Sequence, residues 1–430
     1  MKGRQNMKSM TGFGRAKLEK EAREYLVEIR SVNHKYADIT VKAPRNLLCL
    51  EDKIRKAVLN RVSRGKIEVF VNYANYGLEG KNVVLNKELA KLYIKELSEL
   101  AEEADIPSGL RATEVSKMPD VLNIQLEEDS LEIIWNELSE CLENAIDNFI
   151  DMRSIEGNRI KQDLEERLKN IGYNVEDLGD IPVNRSQAVT EPNSNLKNLN
   201  VISEVNSLLS EKVFSVMSEG KFPLVLGGDH SIAIGTISGV LKYKKSLGVI
   251  WFDAHGDINT PETSPSGNIH GMPVAVLLGL GDKSLTKIVG ENNFLKKENI
   301  VYIGSRDLDS GERKAMKEQG ITVFTMHEID DMGIKKVMEE AIKIAGDNTD
   351  GIHVSFDMDA LDPSIAPGTG TKVPGGMNYR EAHYALELIA KSEKLVSAEF
   401  VEVNPLLDNA NMTGKAAAVL VGSLMGEWLI

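Results

Sequence analysis

From about Gly172 onward the chain repeats one phrase, a short apolar run followed by a helical stretch. The runs are NVEDLGD, FPLVLGG, LGVIWFDAH, NIVYIGS, ITVFTM, GIHVSFDMD and VSAEFVEVNP. Strands alternating with helices are what a parallel sheet requires, because each parallel connection needs a long crossover that a helix supplies. The expected fold class is α/β, a doubly wound parallel sheet. In such sheets ligands and chemistry collect outside the carboxyl ends of the strands.

The earlier part of the chain reads differently. EYLVEIRSVN, YADITVKAP and KIEVFVNYA alternate apolar and polar residues with period two, and the helix-like LEDKIRKAVLNRV separates the last two. From Asn86 to about Asn170 the pattern is helical and rich in strong helix formers. Strands followed by helices predict an α+β domain, so the expected organisation is an α+β domain over 1–168 and an α/β domain over 169–430. The polar stretch from Asn184 to Asn200 reads as an exposed loop of the second domain.

Few partners suit the remaining composition. A formal net charge of −14 gives no global basic field for nucleic acid. Cys49 and Cys141 stand far apart in no metal-binding spacing and read as buried, inert thiols. No apolar run approaches the roughly eighteen residues of a membrane span, and MKGRQNMKSM lacks the apolar core of a signal peptide. A cytoplasmic protein with no membrane partner is expected.

The strand ends carry the chemistry. FPLVLGGDHS ends in Asp229 and His230, LGVIWFDAHGD in Asp253, His255 and Asp257, IHVSFDMDALDP in Asp357 and Asp359, and EFVEVNP in Glu402. Alternate positions of an extended segment share a face, so Asp253, His255 and Asp257 would converge if the stretch is still extended. One Asp after a strand is usually a helix cap or turn residue; histidines and carboxylates on several independent strand ends are a metal constellation. Oxygen-rich ligation with two histidines suits two divalent ions of the manganese type, which can acidify a shared water. His230, His255 and His270 fall in these segments, whereas His34, His327, His353 and His383 are expected to have no comparable carboxylate company.

GGDHS, DAHGD and SFDMDALDP, in this order and spacing, resemble the arginase/agmatinase/formiminoglutamase superfamily of binuclear manganese amidinohydrolases. DINTPETSPSGNIHGMP and RDLDSGE resemble its arginase branch. The resemblance implies two Mn2+, one held by His230, Asp253, Asp257 and Asp357 and the other by His255, Asp253, Asp357 and Asp359. It implies hydrolysis of L-arginine to L-ornithine and urea by a metal-bridging hydroxide, and a trimer or hexamer. Asp257 would hold the hydroxide, His270 would shuttle protons and Glu402 would pair with the substrate guanidinium. Asn259, Ser264 and Ser266 match recognition of the α-carboxylate, and Asp309 and Glu312 match contacts around the α-amino group. Outside that resemblance the two serines read as turn formers, Asp309 and Glu312 as a helix cap, and GTGTKVPGG as a rigid active-site loop.

SMTGFGRA, VEIRSVNHKYAD, SRGKIEV and RSIEGNRIKQDLEERL resemble the YicC-type endoribonuclease family over about Met7 to Leu168. That likeness implies RNA as a partner through the N-terminal domain alone, with Arg30, His34, Lys35, Arg64 and Lys66 as phosphate-binding cations. A solvated sheet face is the alternative for the same residues. The two patterns meet inside DLEERLKNIGYN with no linker, and the arginase-like first strand and glycine-rich segment are missing at that junction. The chain therefore reads as a join of two truncated genes, in which NVEDLGD lacks the strand that would neighbour it. A nuclease acting through the N-terminal domain and an inactive chimera are the competing functional expectations.

Overall fold

A computed structural model describes residues 12–32, 37–62, 65–76, 81–107, 109–126, 128–184, 195–291 and 293–428. His34, Lys35 and Arg64 lie outside the described residues. So does 185–194 of the expected loop, whose end is helical from Leu199 onward. The chain divides into two compact units between Ile155 and Glu156. That division falls within one helix.

In the first unit, β1 (Gly12–Lys20), β2 (Arg23–Val32), β3 (Ala37–Lys42) and β4 (Gly65–Asn75) form a sheet ordered β1-β2-β4-β3, antiparallel except for β3 against β4. Alternate residues Tyr25, Val27, Ile29 and Ile67, Val69, Val71 are buried. They share a core with Ile54 and Val58 of α1 (Glu51–Arg61) and with residues of α4 (Glu128–Asn170) at helical spacing, Leu138, Cys141, Leu142, Ala145 and Phe149. Cys141 is thus buried, but Cys49 is exposed, contrary to expectation, because Leu47 and Leu50 claim the inward side of its 3-10 turn. A two-stranded ribbon of β5 (Lys81–Leu85) and β6 (Leu122–Leu126) accompanies α2 (Lys87–Glu103) and α3 (Ala112–Val115) around Ala90, Val115 and Val121.

A largely buried ion pair ties α4 to this sheet. Glu137 accepts from Arg23 Nε at 2.8 Å and Nη2 at 2.9 Å, and from the Tyr25 hydroxyl at 2.8 Å, with Arg23 and Glu137 only 12% and 13% exposed. The Arg23 hydrogen bonds hold the Glu137 carboxyl below its usual range. Glu137→Gln strands a largely buried guanidinium, so it is expected to cost about 2–3 kcal/mol at neutral pH. A depressed carboxyl stabilises above its unfolded pKa, about 4.3, and stops doing so as pH falls through the folded value. Urea denaturation of wild type and variant is therefore expected to converge in acid; a gap that persists unchanged below pH 3 or so would remove the ion pair as its source.

The second unit holds α5 (Leu199–Ser218), β7 (Leu224–Leu226), α6 (Ala233–Tyr243), β8 (Gly248–Phe252), α7 (Pro273–Leu277), α8 (Lys283–Val289), β9 (Ile300–Ser305), α9 (Ser310–Gln319) and β10 (Thr322–Thr325). It continues through α10 (Met326–Met332), α11 (Ile334–Ala345), β11 (Ile352–Asp357), α12 (Tyr379–Lys391), β12 (Leu395–Val401) and α13 (Met412–Leu424). The strands form one parallel sheet in the order β10-β9-β8-β11-β12-β7. Successive residues of β8 serve opposite faces: Ile250 and Phe252 pack with α11, α12 and α13, whereas Val249 and Trp251 pack with α5, α6, α7 and α8. The expected doubly wound α/β fold is what these two cores build.

NVEDLGD is the exception. Residues 173–184 have no regular structure, and β7, three residues long with Leu226 55% exposed, is the sheet edge. An extended segment without a neighbouring strand has no backbone partners to hold it in a ladder. Val175 and Ile181 still pack as loop residues, one on each core, while Glu176 pairs with Lys221 and Asp177 with Lys161.

Candidate metal centre

β7, β8, β11 and β12 deliver their side chains at one rim of the sheet. His230 Nδ1 lies 3.1 Å from Asp253 Oδ2, 3.1 Å from Asp257 Oδ2 and 3.2 Å from Asp357 Oδ2. His255 Nδ1 lies 3.4 Å from Asp253 Oδ1 and 3.1 Å from Asp359 Oδ2. Two donor groups result, His230–Asp253–Asp357 and Asp253–His255–Asp359, and Asp253 belongs to both. All these residues are buried except the partly exposed His255.

The donor set fits divalent cations. His230 Nδ1 is buried and makes no hydrogen bond among the described residues, although three carboxylate oxygens crowd it. The donor atoms within each group lie within 4.8 Å of one another. Burial and the Asp253 charge push the Asp257 carboxyl well above its usual range, and burial with the Asp359 and Asp253 charges does the same to Asp357. Burial lowers the His255 imidazole, but Asp253 and Asp359 outweigh it and lift it to about 12. Such crowding of acids away from water is relieved by bound cations.

The backbone supports this arrangement. Asp253 Oδ1 accepts from His255 N at 2.7 Å and its Oδ2 from Trp251 Nε1 at 3.0 Å. Asp357 Oδ1 accepts from Asp359 N at 2.7 Å, and Asp359 Oδ1 from Ala254 N at 3.1 Å. Asp257 and Glu402 sit at φ 48° and 60°, a left-handed conformation costly for residues with a Cβ and typical of functional sites. Glu402 Oε1 accepts from His230 N at 3.0 Å, and burial with the Asp229 charge pushes its carboxyl up to about 7.

The remaining candidates are gathered unequally. His270, half-buried in the turn Ile269–Gly271, lies within electrostatic reach of Asp229, His230, His255 and Asp253, and burial lowers its imidazole. Asn259 Nδ2 donates to Asp309 Oδ2 at 2.7 Å. Asp309 and Glu312 form the capping box of α9, and Glu312 also accepts from Asp257 N at 2.9 Å. The helix-cap expectation thus describes their local geometry, while Glu312 additionally props the Asp257 loop. Ser264 Oγ and Ser266 Oγ accept from Gly267 N and Asn268 N, as turn formers do. In the GTGTKVPGG loop, Thr371 donates to Asp359 at 3.1 Å.

Sequence reasoning missed the residues behind the rim. Arg306 donates to Asp359 O and Val373 O, both at 2.7 Å, clamping two site loops. Ser355 joins His230 Nε2, at 2.8 Å, to Glu399 Oε1, at 2.8 Å. His353 does have carboxylate company, since its Nε2 is 3.5 Å from Glu399 Oε1 across the β11–β12 pairing. The visible signal was polar residues at alternate positions, His353 and Ser355, then Ser397 and Glu399, in strands otherwise apolar. In the first unit Arg30 stacks over Phe13 and Phe70 and pairs with Glu28, and Lys66 is exposed on β4.

Residues 150–426 match the arginase family model, and residues 7–162 match the N-terminal region of the YicC-like endoribonucleases. Among curated relatives, the arginase of Bacillus caldovelox is 54% identical over 266 residues and that of Bacillus subtilis 56% over 267, each alignment spanning 62% of this chain and 89% of the relative. The crystal structures of those two arginases superpose with TM-scores of 0.61 and 0.60 at 52% and 55% identity, covering 64% of this chain and 92% of theirs. No helix among the described residues is long and apolar enough to cross a membrane.

Proposed function

This chain belongs to the arginase family, and on that premise we propose that it hydrolyses L-arginine to L-ornithine and urea with two Mn2+ as cofactors. The observation that carries the proposal is the pair of donor groups sharing Asp253 at the rim of a parallel sheet. We assign His230, Asp253, Asp257 and Asp357 to one ion and His255, Asp253, Asp357 and Asp359 to the other, all within 169–430. Oxygen-rich ligation of this kind favours manganese over thiophilic metals. When bound, such ions acidify water enough to supply a nucleophile near neutral pH.

The side chains do the rest. Glu402 pairs with the substrate guanidinium, and that cation favours the ionised form of a carboxyl otherwise lifted to about 7. Asp257 accepts a hydrogen bond from the attacking water and holds it in line with the guanidinium carbon. A bond forms between the water oxygen and that carbon, and the bond from the carbon to the chain nitrogen breaks. His270, kept neutral by burial, takes a proton from the site and delivers one to the departing amine. The hydroxyls of Ser264 and Ser266 and the Asn259 amide face the α-carboxylate as donors, and Asp309 and Glu312 hold the α-amino side.

Urea release by the purified chain after manganese loading tests this reading. L-Arginine is expected to be cleaved at least about a hundredfold better than agmatine, which offers nothing to the α-carboxylate donors. Equal rates on the two substrates, or silence from folded, metal-loaded protein, would overturn it.

A further inference from the structure

We propose that Ser355, Glu399 and His353 are positioning residues that fix the tautomer of His230, so that its Nδ1 lone pair faces the metal pocket. The inference rests on the reading of this rim as a metal centre. None of the three residues touches the pocket itself.

The direction of the hydrogen bonds follows from what each group can do. An ionised carboxylate only accepts, so the single Ser355 hydroxyl proton goes to Glu399 Oε1, at 2.8 Å. Ser355 Oγ then has only lone pairs for His230 Nε2, at 2.8 Å, which must be the protonated nitrogen. Nδ1 is left facing the pocket with three carboxylate oxygens around it, the orientation a metal-ligating imidazole needs. Stacking on Trp251, with ring centroids 4.1 Å apart and planes at 11°, holds the ring in that plane.

The chain holds only while Glu399 is charged, and its surroundings keep it so. Burial raises the Glu399 carboxyl, but His353 first, with His230 and Thr236, more than compensates and holds it below the usual carboxylate range. His353 is itself fixed by Ser397, whose Oγ is 2.8 Å from Nδ1. The pairing of β11 with β12 sets the spacing, with His353 opposite Ser397 and Ser355 opposite Glu399. A fully buried Glu and His inside a sheet are poor choices for stability, since apolar residues of similar size pack there at lower cost. A protonated or amidated residue at 399 could donate to Ser355 and reverse the chain, turning an Nδ1–H toward the metal.

Calorimetric titration of the full-length, metal-free chain with Mn2+ tests the relay without reference to turnover. Wild type is expected to take up two ions. Glu399→Gln keeps size but lets the amide either donate or accept, and Ser355→Ala cuts the link. Each is expected to weaken one of the two sites about 10–100-fold, leaving the other within about twofold. If they act through one chain, the double variant loses no more than the weaker single, and Ser355→Thr restores the affinity. Should Glu399→Gln fail to fold, the Ser355→Ala loss and its rescue by Ser355→Thr decide alone. Unchanged affinity in folded variants, or losses that multiply in the double variant, would overturn the relay. A folded wild type that takes up no Mn2+ would instead overturn the metal centre itself.

Discussion

Asp253→Asn is expected to lower urea release from L-arginine by about three orders of magnitude or more, the largest effect of any single change in this chain. Asp253 serves both donor groups, one oxygen toward His230 and the other toward His255. An amide of the same shape keeps the acceptor for His255 N but carries no charge and turns an NH2 toward one cation. Metal content measured beside turnover identifies the cause: stoichiometry falls together with rate. A variant that holds both ions and still turns over at a tenth of the wild-type rate would show that Asp253 is not the bridging residue.

Manganese loading is expected to raise the unfolding temperature of the α/β unit by roughly 10 °C, the second large effect. A ligand bound only by the folded state stabilises by about 4 kcal/mol at a thousandfold excess over its dissociation constant, and each kcal/mol moves a unit of this size by about 2–4 °C. The sign follows from the buried carboxylates. Asp257 and Asp357 are pushed far up by burial and by one another's neighbours, a repulsion that bound cations turn into attraction. Scanning calorimetry with and without chelator reads the shift. A melting curve indifferent to chelation would mean that the four carboxylates are held by protonation alone.

The α/β unit was legible wherever burial leaves no choice. GVIWF is buried at all five positions and reads as an inner strand from its apolar run alone. NVEDLGD stands in the same strand–helix order and forms no strand, because a ladder depends on the neighbour and not on the segment. β1 escaped notice for a local reason: Arg15, Lys17 and Glu19 line its solvent side, and Gly14 replaces an apolar residue where a Cβ would drive into Ala145 and Phe149 of α4. At the site, groups carried by contiguous motifs were readable, since DAHGD and DMD place several of the clustered donor side chains within one turn of chain. Glu399 was not, because its meaning comes from Ser355 on the adjacent strand, a relation that strand register creates.

The strand order also sets when the site can exist. β8 gains its first neighbour when Phe252 meets Ile303 of β9, about fifty positions later, and its second when Phe252 meets Phe356, about a hundred positions later; β7 finds its single partner only when β12 arrives. Pairings so distant along the chain form slowly, because loop-closure entropy is lost before the contact returns anything. On the ribosome, His230, Asp253 and His255 emerge long before Glu399 and Glu402. The nascent chain therefore has no finished pocket until the last strand of the sheet has left the exit tunnel, and metallation has to wait for that strand.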